Sequence, residues 1–307
     1  MQTIHKILVS ISVIIIAGFF INAINKEHPN NEEKVKQNNS NNTSHLYEIK
    51  ALKMPAALFF ANEDAPLQDP DVYERIDREL HVNTYWQSNG LLMFKRSHKF
   101  FPTIETILAE NGIPDDFKYL ALIESGLRNV TSPAGAKGFW QIMKATGREY
   151  GLEVNDNVDE RYHLEKATQV ACDYLNSSKK KLGNWTLAAA AYNAGNRRVS
   201  ESMKKQNSNN YYDLLLNDET ARYLPRILAV KEIITHPQDY GFVFDNEDLY
   251  KEELTYEVKV DTAITNITRF AKNYGMTYKE FKRFNPWLRE GHLNNKSRKE
   301  YFIKIKS

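Results

Sequence analysis

Residues 113–126 read IPDDFKYLALIESG, a short run that commits to a helix and ends on a carboxylate. Pro114 suits the first helical position, where its missing N–H costs nothing. Asp115 and Asp116 favour the positive end of the helix dipole, and Gly126 is a natural stop. Phe117, Leu120, Ala121 and Glu124 fall at i, i+3, i+4 and i+7, so Glu124 shares the apolar face. Burial and the negative helix end both push a carboxylate's pKa upward. A Glu held protonated near neutral pH can act as a general acid. The plainer alternative is a helix-end Glu that bends out to water.

The rest of the chain narrows the setting. Its 307 residues suffice for two or more domains, and 42% hydrophobic residues make the bulk of it globular. A net charge of +2 and the lack of a basic stripe give no case for nucleic acid. The single cysteine, Cys172, allows no intrachain disulfide and reads as a small core residue. The sequence holds no HExxH, paired CxxC, Walker loop or GxSxG, which removes the commonest metal, nucleotide and serine-hydrolase classes.

Residues 1–24 carry an apolar stretch, Ile7 to Ile24, preceded by Lys6, and read as a signal peptide or an inner-membrane anchor. Either way the remainder is exported, and an exported chain without disulfides is compatible with a bacterial periplasm or cell envelope. Residues 25–45, rich in Asn, Lys and Glu, read as a disordered linker.

Residues 46–112 form a helical N-terminal extension. Val72, Ile76 and Leu80 mark one amphipathic face, and Ile104, Ile107 and Leu108 another. Its aromatics (Tyr73, Tyr85, Trp86, Phe94, Phe100, Phe101) read as core. Residues 113–237 are the densest helical block. Leu164, Ala167, Ala171, Tyr174 and Leu175 line one helix. Trp185 to Asn193 form a second, with Ala188 to Ala191 admitting a close neighbour. A third runs from Asp218 to Thr235, where Pro225 predicts a kink or restart. Residues 252–307 change character: Tyr256, Val258 and Val260 alternate as in a strand, Ile264 to Ala271 and Tyr278 to Phe284 are helical, and Tyr301, Ile303 and Ile305 alternate again. The predicted fold is mainly α, with a small βααβ module at the C-terminal end.

Glu124 is followed by Ser125, then by Ser132-Pro133-Ala134-Gly135-Ala136-Lys137-Gly138 and Phe139-Trp140-Gln141-Ile142-Met143. Gly135 and Gly138 would let backbone pass close to a ligand. Gln141 offers an amide and Trp140 a flat surface. Later come Ala191-Tyr192-Asn193-Ala194-Gly195 and Glu219-Thr220-Ala221-Arg222-Tyr223. Singly, each has a bland reading: turn glycines, a solvated Gln, a packed ring with a helix cap, an acid in a first helical turn.

Together and in this order, with Tyr150-Gly151 and Asp159-Glu160-Arg161, they resemble the lytic murein transglycosylases of the membrane-bound D type. The resemblance implies a lysozyme-like domain over 113–237. It matches Glu124 to the catalytic acid and Ser125 to its companion. It assigns Ser132, Gln141, Met143, Tyr192, Asn193 and Glu219 to substrate binding. The spacing from Glu124 to Ser132 is one residue short of the family pattern, Lys144 replaces a common Pro, and the usual lipoprotein cysteine is absent. The C-terminal module resembles a LysM domain, with glycan binding and a packing subdomain as alternatives.

The activity so implied cleaves the bond between N-acetylmuramic acid and N-acetylglucosamine in peptidoglycan, without water, metal or cofactor. Glu124 would protonate the leaving oxygen, then as carboxylate take the proton of the muramic acid 6-hydroxyl, giving a 1,6-anhydro end. The implied partners are peptidoglycan glycan strands and, through the N-terminal segment, the membrane; no nucleic acid is expected, and the sequence leaves protein partners open. Two alternatives remain. A goose-type hydrolase would need a second carboxylate from Asp156, Asp159 or Glu219. A wall-binding protein would need no chemistry at all.

Overall fold

The computed structural model describes residues 49–307, and the predicted anchor and linker lie outside them. A two-stranded hairpin comes first, β1 (Phe59–Phe60) paired antiparallel with β2 (Glu63–Asp64). Helix α1 (Pro70–Tyr85) starts where Asp69 accepts from the backbone N–H of Asp71 and Val72, with Pro70 just inside. It buries Val72, Ile76, Glu79 and Leu80, a stripe that includes one carboxylate. Helix α2 (Gln87–Glu110) is 24 residues long and carries Pro102 in its interior. Phe94 and Phe101 are core, as read from sequence, but Tyr73 and Trp86 are not: Trp86, at the joint between α1 and α2, is 61% exposed.

Pro114 is followed by a single 3₁₀ turn, Asp115–Phe117, and then by α3 (Lys118–Ser125), which ends on Gly126 at φ 61°. After the loop 127–143 come α4 (Lys144–Glu149) and the long α5 (Leu164–Leu182). Helix α6 (Trp185–Ala194) is capped by Asn184, which accepts from Leu187 N–H, and by Glu63, which accepts from the N–H groups of Trp185 and Thr186. Ala188 to Ala191 are fully buried, so the small side chains do let neighbours close in. Helix α7 (Asn196–Gln206) follows. The third predicted helix divides at Arg222 into α8 (Asp218–Ala221) and α9 (Tyr223–Thr235). Pro225 lies in the first turn of α9, where its missing N–H is tolerated, so it marks a restart. The extension and the helical block share one core, with Phe60, Ile76, Ile104, Leu120, Leu175 and Leu228 in the same cluster.

The C-terminal module has the predicted order. Strand β3 (Thr255–Val260) is followed by α10 (Ile267–Asn273), α11 (Tyr278–Phe284) and β4 (Tyr301–Lys306). The strands pair antiparallel, Val258 opposite Ile303. Ile264 precedes α10 instead of joining it: its N–H and C=O both bond Leu293. The long stretch after Trp287 docks the module. Val158 bridges Leu288, Asp159 N–H donates to the Trp287 carbonyl, and Arg289 N–H donates to that of Asn157. Val158 and Tyr162 join the module's own core, and Tyr301 donates to Glu153 at 2.9 Å. Among the described residues no helix is long and apolar enough to cross a membrane.

Candidate active site

Glu124 closes α3 with its carboxyl turned inward. Oε1 accepts from the Tyr223 hydroxyl at 2.5 Å. Burial is the largest influence on the carboxyl and raises its pKa; the Tyr223 hydrogen bond and the Arg226 charge pull it down, and Glu219 pushes it up. The result is about 7, well above the ordinary 4.5. The Tyr192 and Tyr223 phenols are pushed well above 10 by burial and then by the Glu124 charge, so both are neutral donors. A carboxyl that titrates near neutrality can give a proton and take one back.

Of the remaining predicted site residues, Tyr192 and Glu219 interact with the Glu124 charge, Asn193 contacts Glu219, and Ser125, Ser132 and Gln141 build the loop that follows α3. Tyr192, on α6, feels the Glu124 charge and donates its hydroxyl to the Trp140 carbonyl at 2.7 Å. Asn193 accepts from the Thr220 hydroxyl at 2.9 Å and donates to Glu219 at 3.3 Å, which holds α6 against α8. Glu219 itself is exposed. Met143 stands 45% exposed at the head of α4.

Ser125 is buried and donates to the Phe139 carbonyl at 2.8 Å, so its hydroxyl pins the loop to α3. Ser132 accepts from Ala136 N–H at 3.0 Å and closes a turn within the loop. Gln141 spends both amide hydrogens on loop carbonyls, 2.8 Å to Gly138 and 3.2 Å to Val130. Only its carbonyl oxygen remains for a ligand. Trp140 offers no surface: it is fully buried and donates to Thr168 at 2.8 Å. Gly138 does allow a close approach, but to protein. A Cβ there would stand 1.9 Å from the Arg161 carbonyl oxygen.

Arg161 is the loop's other fastening. Its guanidinium donates to the Gly135 and Ile142 carbonyls at 3.2 Å and to both oxygens of Asp159 at 2.9 and 2.8 Å. Burial alone would raise the Asp159 pKa, but Arg161 and Lys137 hold it below the usual range. Asp159 is therefore a fully engaged structural carboxylate, and Asp156 is exposed. Of the three carboxylates considered as a second catalytic group, Glu219 is the one whose charge reaches Glu124.

Sequence reasoning assigned no role to Tyr223, Arg226 or Glu79. Tyr223 was in view, four residues after Glu219. Glu79 was hidden in an apolar stripe. Its carboxylate, 1% exposed, pairs with Arg78 at 2.6 Å, Arg222 at 2.9 Å and Arg226 at 3.3 Å. That pairing restrains two cations beside the Glu124 cavity.

Residues 102–215 match the family model described as "Transglycosylase SLT domain", and residues 256–306 match "Soluble lytic transglycosylase C-terminal LysM-like domain". The chain carries an SLT domain and a LysM-like domain. Glu124 lies inside the SLT match, while Glu219 and Tyr223 lie just beyond it. The chain is 29% identical over 204 residues to the membrane-bound lytic murein transglycosylase D of Escherichia coli, covering 64% of this chain and 44% of that protein. It thus spans less than half the length of that relative. It is 26% identical over 106 residues to a putative tributyltin chloride resistance protein of an Alteromonas species, covering 34% of this chain and 51% of that one. Among solved structures, the 70 kDa soluble lytic transglycosylase of Escherichia coli aligns at a TM-score of 0.39 and 21% identity, over 49% of this chain and 26% of that one.

Proposed function

We propose that this protein is a peptidoglycan lytic transglycosylase with Glu124 as its single catalytic acid and base. The observation that carries this reading is a buried carboxyl with a pKa near 7 at the end of α3, bonded to Tyr223, inside an SLT domain. Protonated Glu124 would donate to the glycosidic oxygen between N-acetylmuramic acid and N-acetylglucosamine. Positive charge would build on the sugar ring, and the substrate's own N-acetyl oxygen would stabilise it. The resulting carboxylate would take the 6-hydroxyl proton as that oxygen closes on the anomeric carbon. Tyr192, Asn193 and Glu219 would border the sugar, and Met143 would touch it from the exposed rim. Ser125, Ser132 and Gln141 would serve substrate through the loop they hold, with the Gln141 carbonyl oxygen free to accept from it.

The catalytic unit would span residues 113–237, supported by 46–112, and the module at 252–307 would bind glycan. The relative named as membrane-bound supports a cell-envelope location, with residues 1–24 as anchor or signal and 25–45 as linker. Mass analysis of the fragments released from purified sacculi tests the chemistry. Anhydro ends lack one water; reducing ends of full mass would mean hydrolysis instead.

The pH dependence follows from which form acts first. The protonated acid starts the reaction, so kcat/KM should fall as pH rises through about 7. Tyr223 bonds the carboxylate form, so Tyr223→Phe should raise the Glu124 pKa and move this alkaline limb to higher pH. A limb that moved to lower pH would contradict the assignment.

A further inference from the structure

Glu124 shares a cavity of about 420 Å³ with a second carboxylate that has no part in the chemistry described above. Glu79, on the buried stripe of α1, stands in its wall, and so do three guanidiniums, those of Arg128, Arg222 and Arg226. Two carboxyls therefore face three cations, and the way they pair decides which form Glu124 takes. A guanidinium within about 4–6 Å favours an ionised carboxyl and lowers its pKa by about 1–3. A Glu paired in that way would be ionised at neutral pH and could not give up a proton. Glu124 nevertheless titrates at about 7, with the Arg226 charge ranking behind burial and the Tyr223 hydrogen bond.

The cations are engaged elsewhere. Glu79 Oε1 accepts from Arg78 at 2.6 Å and from Arg222 at 2.9 Å, and Oε2 accepts from Arg226 at 3.3 Å. Arg222 has a second carboxylate in Asp218, at 3.2 Å. Arg226 does not: among the described residues Glu79 is the carboxylate it bonds. Arg128 is tied to the Ser125 carbonyl and Arg96, from α2, to that of Gly126, each at 3.3 Å. Of the other groups whose charge reaches Glu124, Tyr192 and Tyr223 are neutral and Glu219 is an anion. Arg222 and Arg226 lie one turn apart, the N–H of the second bonded to the carbonyl of the first, with Tyr223 between them. Glu79 thus grips the same turn of α9 that brings the Tyr223 hydroxyl to Glu124. Packing gives no reason for a carboxylate on the stripe of Val72, Ile76 and Leu80, because an apolar residue in place of a buried ion pair is often no less stable.

We propose that Glu79 is a positioning residue for the acid: it holds and balances Arg226, together with Arg222, so that neither cation forms an ion pair with Glu124. This rests on the reading of Glu124 as the acid and names what keeps it one. Without the Glu79 charge, Glu124 is the carboxylate left in the cavity wall for Arg226 to pair with. The sign is the same whether Arg226 swings over or stays in place, since an unbalanced guanidinium favours the ionised carboxyl either way. Glu79 touches neither the proton nor the sugar; it acts through Arg226.

The test is a titration of Glu124 in the full chain by carbon NMR of its labelled carboxyl, with Glu124→Gln supplying the assignment, beside the pH profile of kcat/KM on purified sacculi. Glu79→Gln keeps the shape and drops the charge. It should move the Glu124 midpoint and the alkaline limb of kcat/KM down by about one pH unit, which is about a tenfold loss of activity at pH 8 and little loss at pH 5. The double variant Glu79→Gln with Arg226→Gln should return both to their starting place or above it. An unmoved or raised midpoint in folded Glu79→Gln, with activity lost evenly across pH, would make Glu79 a structural residue and overturn the proposal. So would a downward shift that the double variant keeps. If denaturation shows that Glu79→Gln does not fold, Arg226→Gln alone decides: it should raise the midpoint, and an unmoved one overturns the proposal. The NMR midpoint needs no turnover, so it is read separately from the catalytic reading, which stands or falls on whether the unaltered chain releases anhydro products.

Discussion

Glu124→Gln is expected to lower the rate of glycan cleavage by about 10³-fold or more while making the folded protein more stable at alkaline pH. On the proposed mechanism the rate loss follows from removing the acid that would protonate the leaving oxygen, a contribution of about 10²–10⁴ for general acid–base catalysis, required there in two steps. The stability gain follows from the same burial. In the folded chain Glu124 titrates at about 7 against an ordinary 4.5, so the folded state keeps its proton longer than the unfolded state does. Stability therefore falls as pH rises from about 4.5 to about 7, and above that the ionised carboxyl costs about 3 kcal/mol. Gln escapes that cost. At pH 8 the variant should melt later than the unaltered chain, and at pH 4 the two should melt together. Chemical denaturation at both pH values, beside a sacculus-lysis assay, reads both halves. Retained lysis would remove Glu124 from the mechanism, and equal stability at pH 8 would mean that its carboxyl is not held in a dry site.

Gly138→Ala should destabilise the fold by about 4 kcal/mol or more, with loss of activity as a consequence. The glycine has φ +80°, a conformation that L side chains seldom adopt, and a Cβ would lie 1.9 Å from the Arg161 carbonyl oxygen. Backbone is on the receiving side of that collision, so no side chain can swing away. Relief would have to pull the loop 135–142 from Arg161, breaking the bonds to Gly135 and Ile142 and exposing the buried Asp159 pair. Gly135→Ala, with open space around its Cβ and φ +86°, should cost only the conformational strain, about 1–2 kcal/mol. A denaturation midpoint for Gly138→Ala close to that of Gly135→Ala would refute the account.

These two glycines show where the sequence was readable and where it was not. Both were visible as turn residues within a motif, because φ > 0 is a local demand that glycine meets. What Gly138 approaches could not be read, since Arg161 lies 23 positions on and only the fold brings it there. The helices were legible for the same local reason: Pro114 and Gly126 mark helix ends, and the apolar positions repeat at helical spacing. Glu124 stood out because a carboxylate on an apolar stripe is locally anomalous. Glu79 is the same anomaly on α1, yet it went unnoticed because two of its three arginine partners, Arg222 and Arg226, lie far along the chain at the start of α9. Trp86 read as core because its neighbours are aromatic, whereas the joint between α1 and α2 turns it outward. Gln141 and Trp140 were recognised as a motif, but a motif does not say whether its polar atoms face a ligand or the loop that carries them.

The LysM-like module is joined to the helical part by a β-bridge and backbone hydrogen bonds at Val158–Leu288, Asp159–Trp287 and Asn157–Arg289. Asp159, at the centre of that seam, also anchors Arg161 and through it the loop beside Glu124. The module and the loop beside Glu124 therefore share a mounting. On the proposed reading, a glycan strand held by the module would meet Glu124 at one set distance, as in a caliper, and not at the variable reach of a tether. Fragment length would then be a property of the protein's own dimensions, and a strand shorter than that gauge would be held or cut but not both at once.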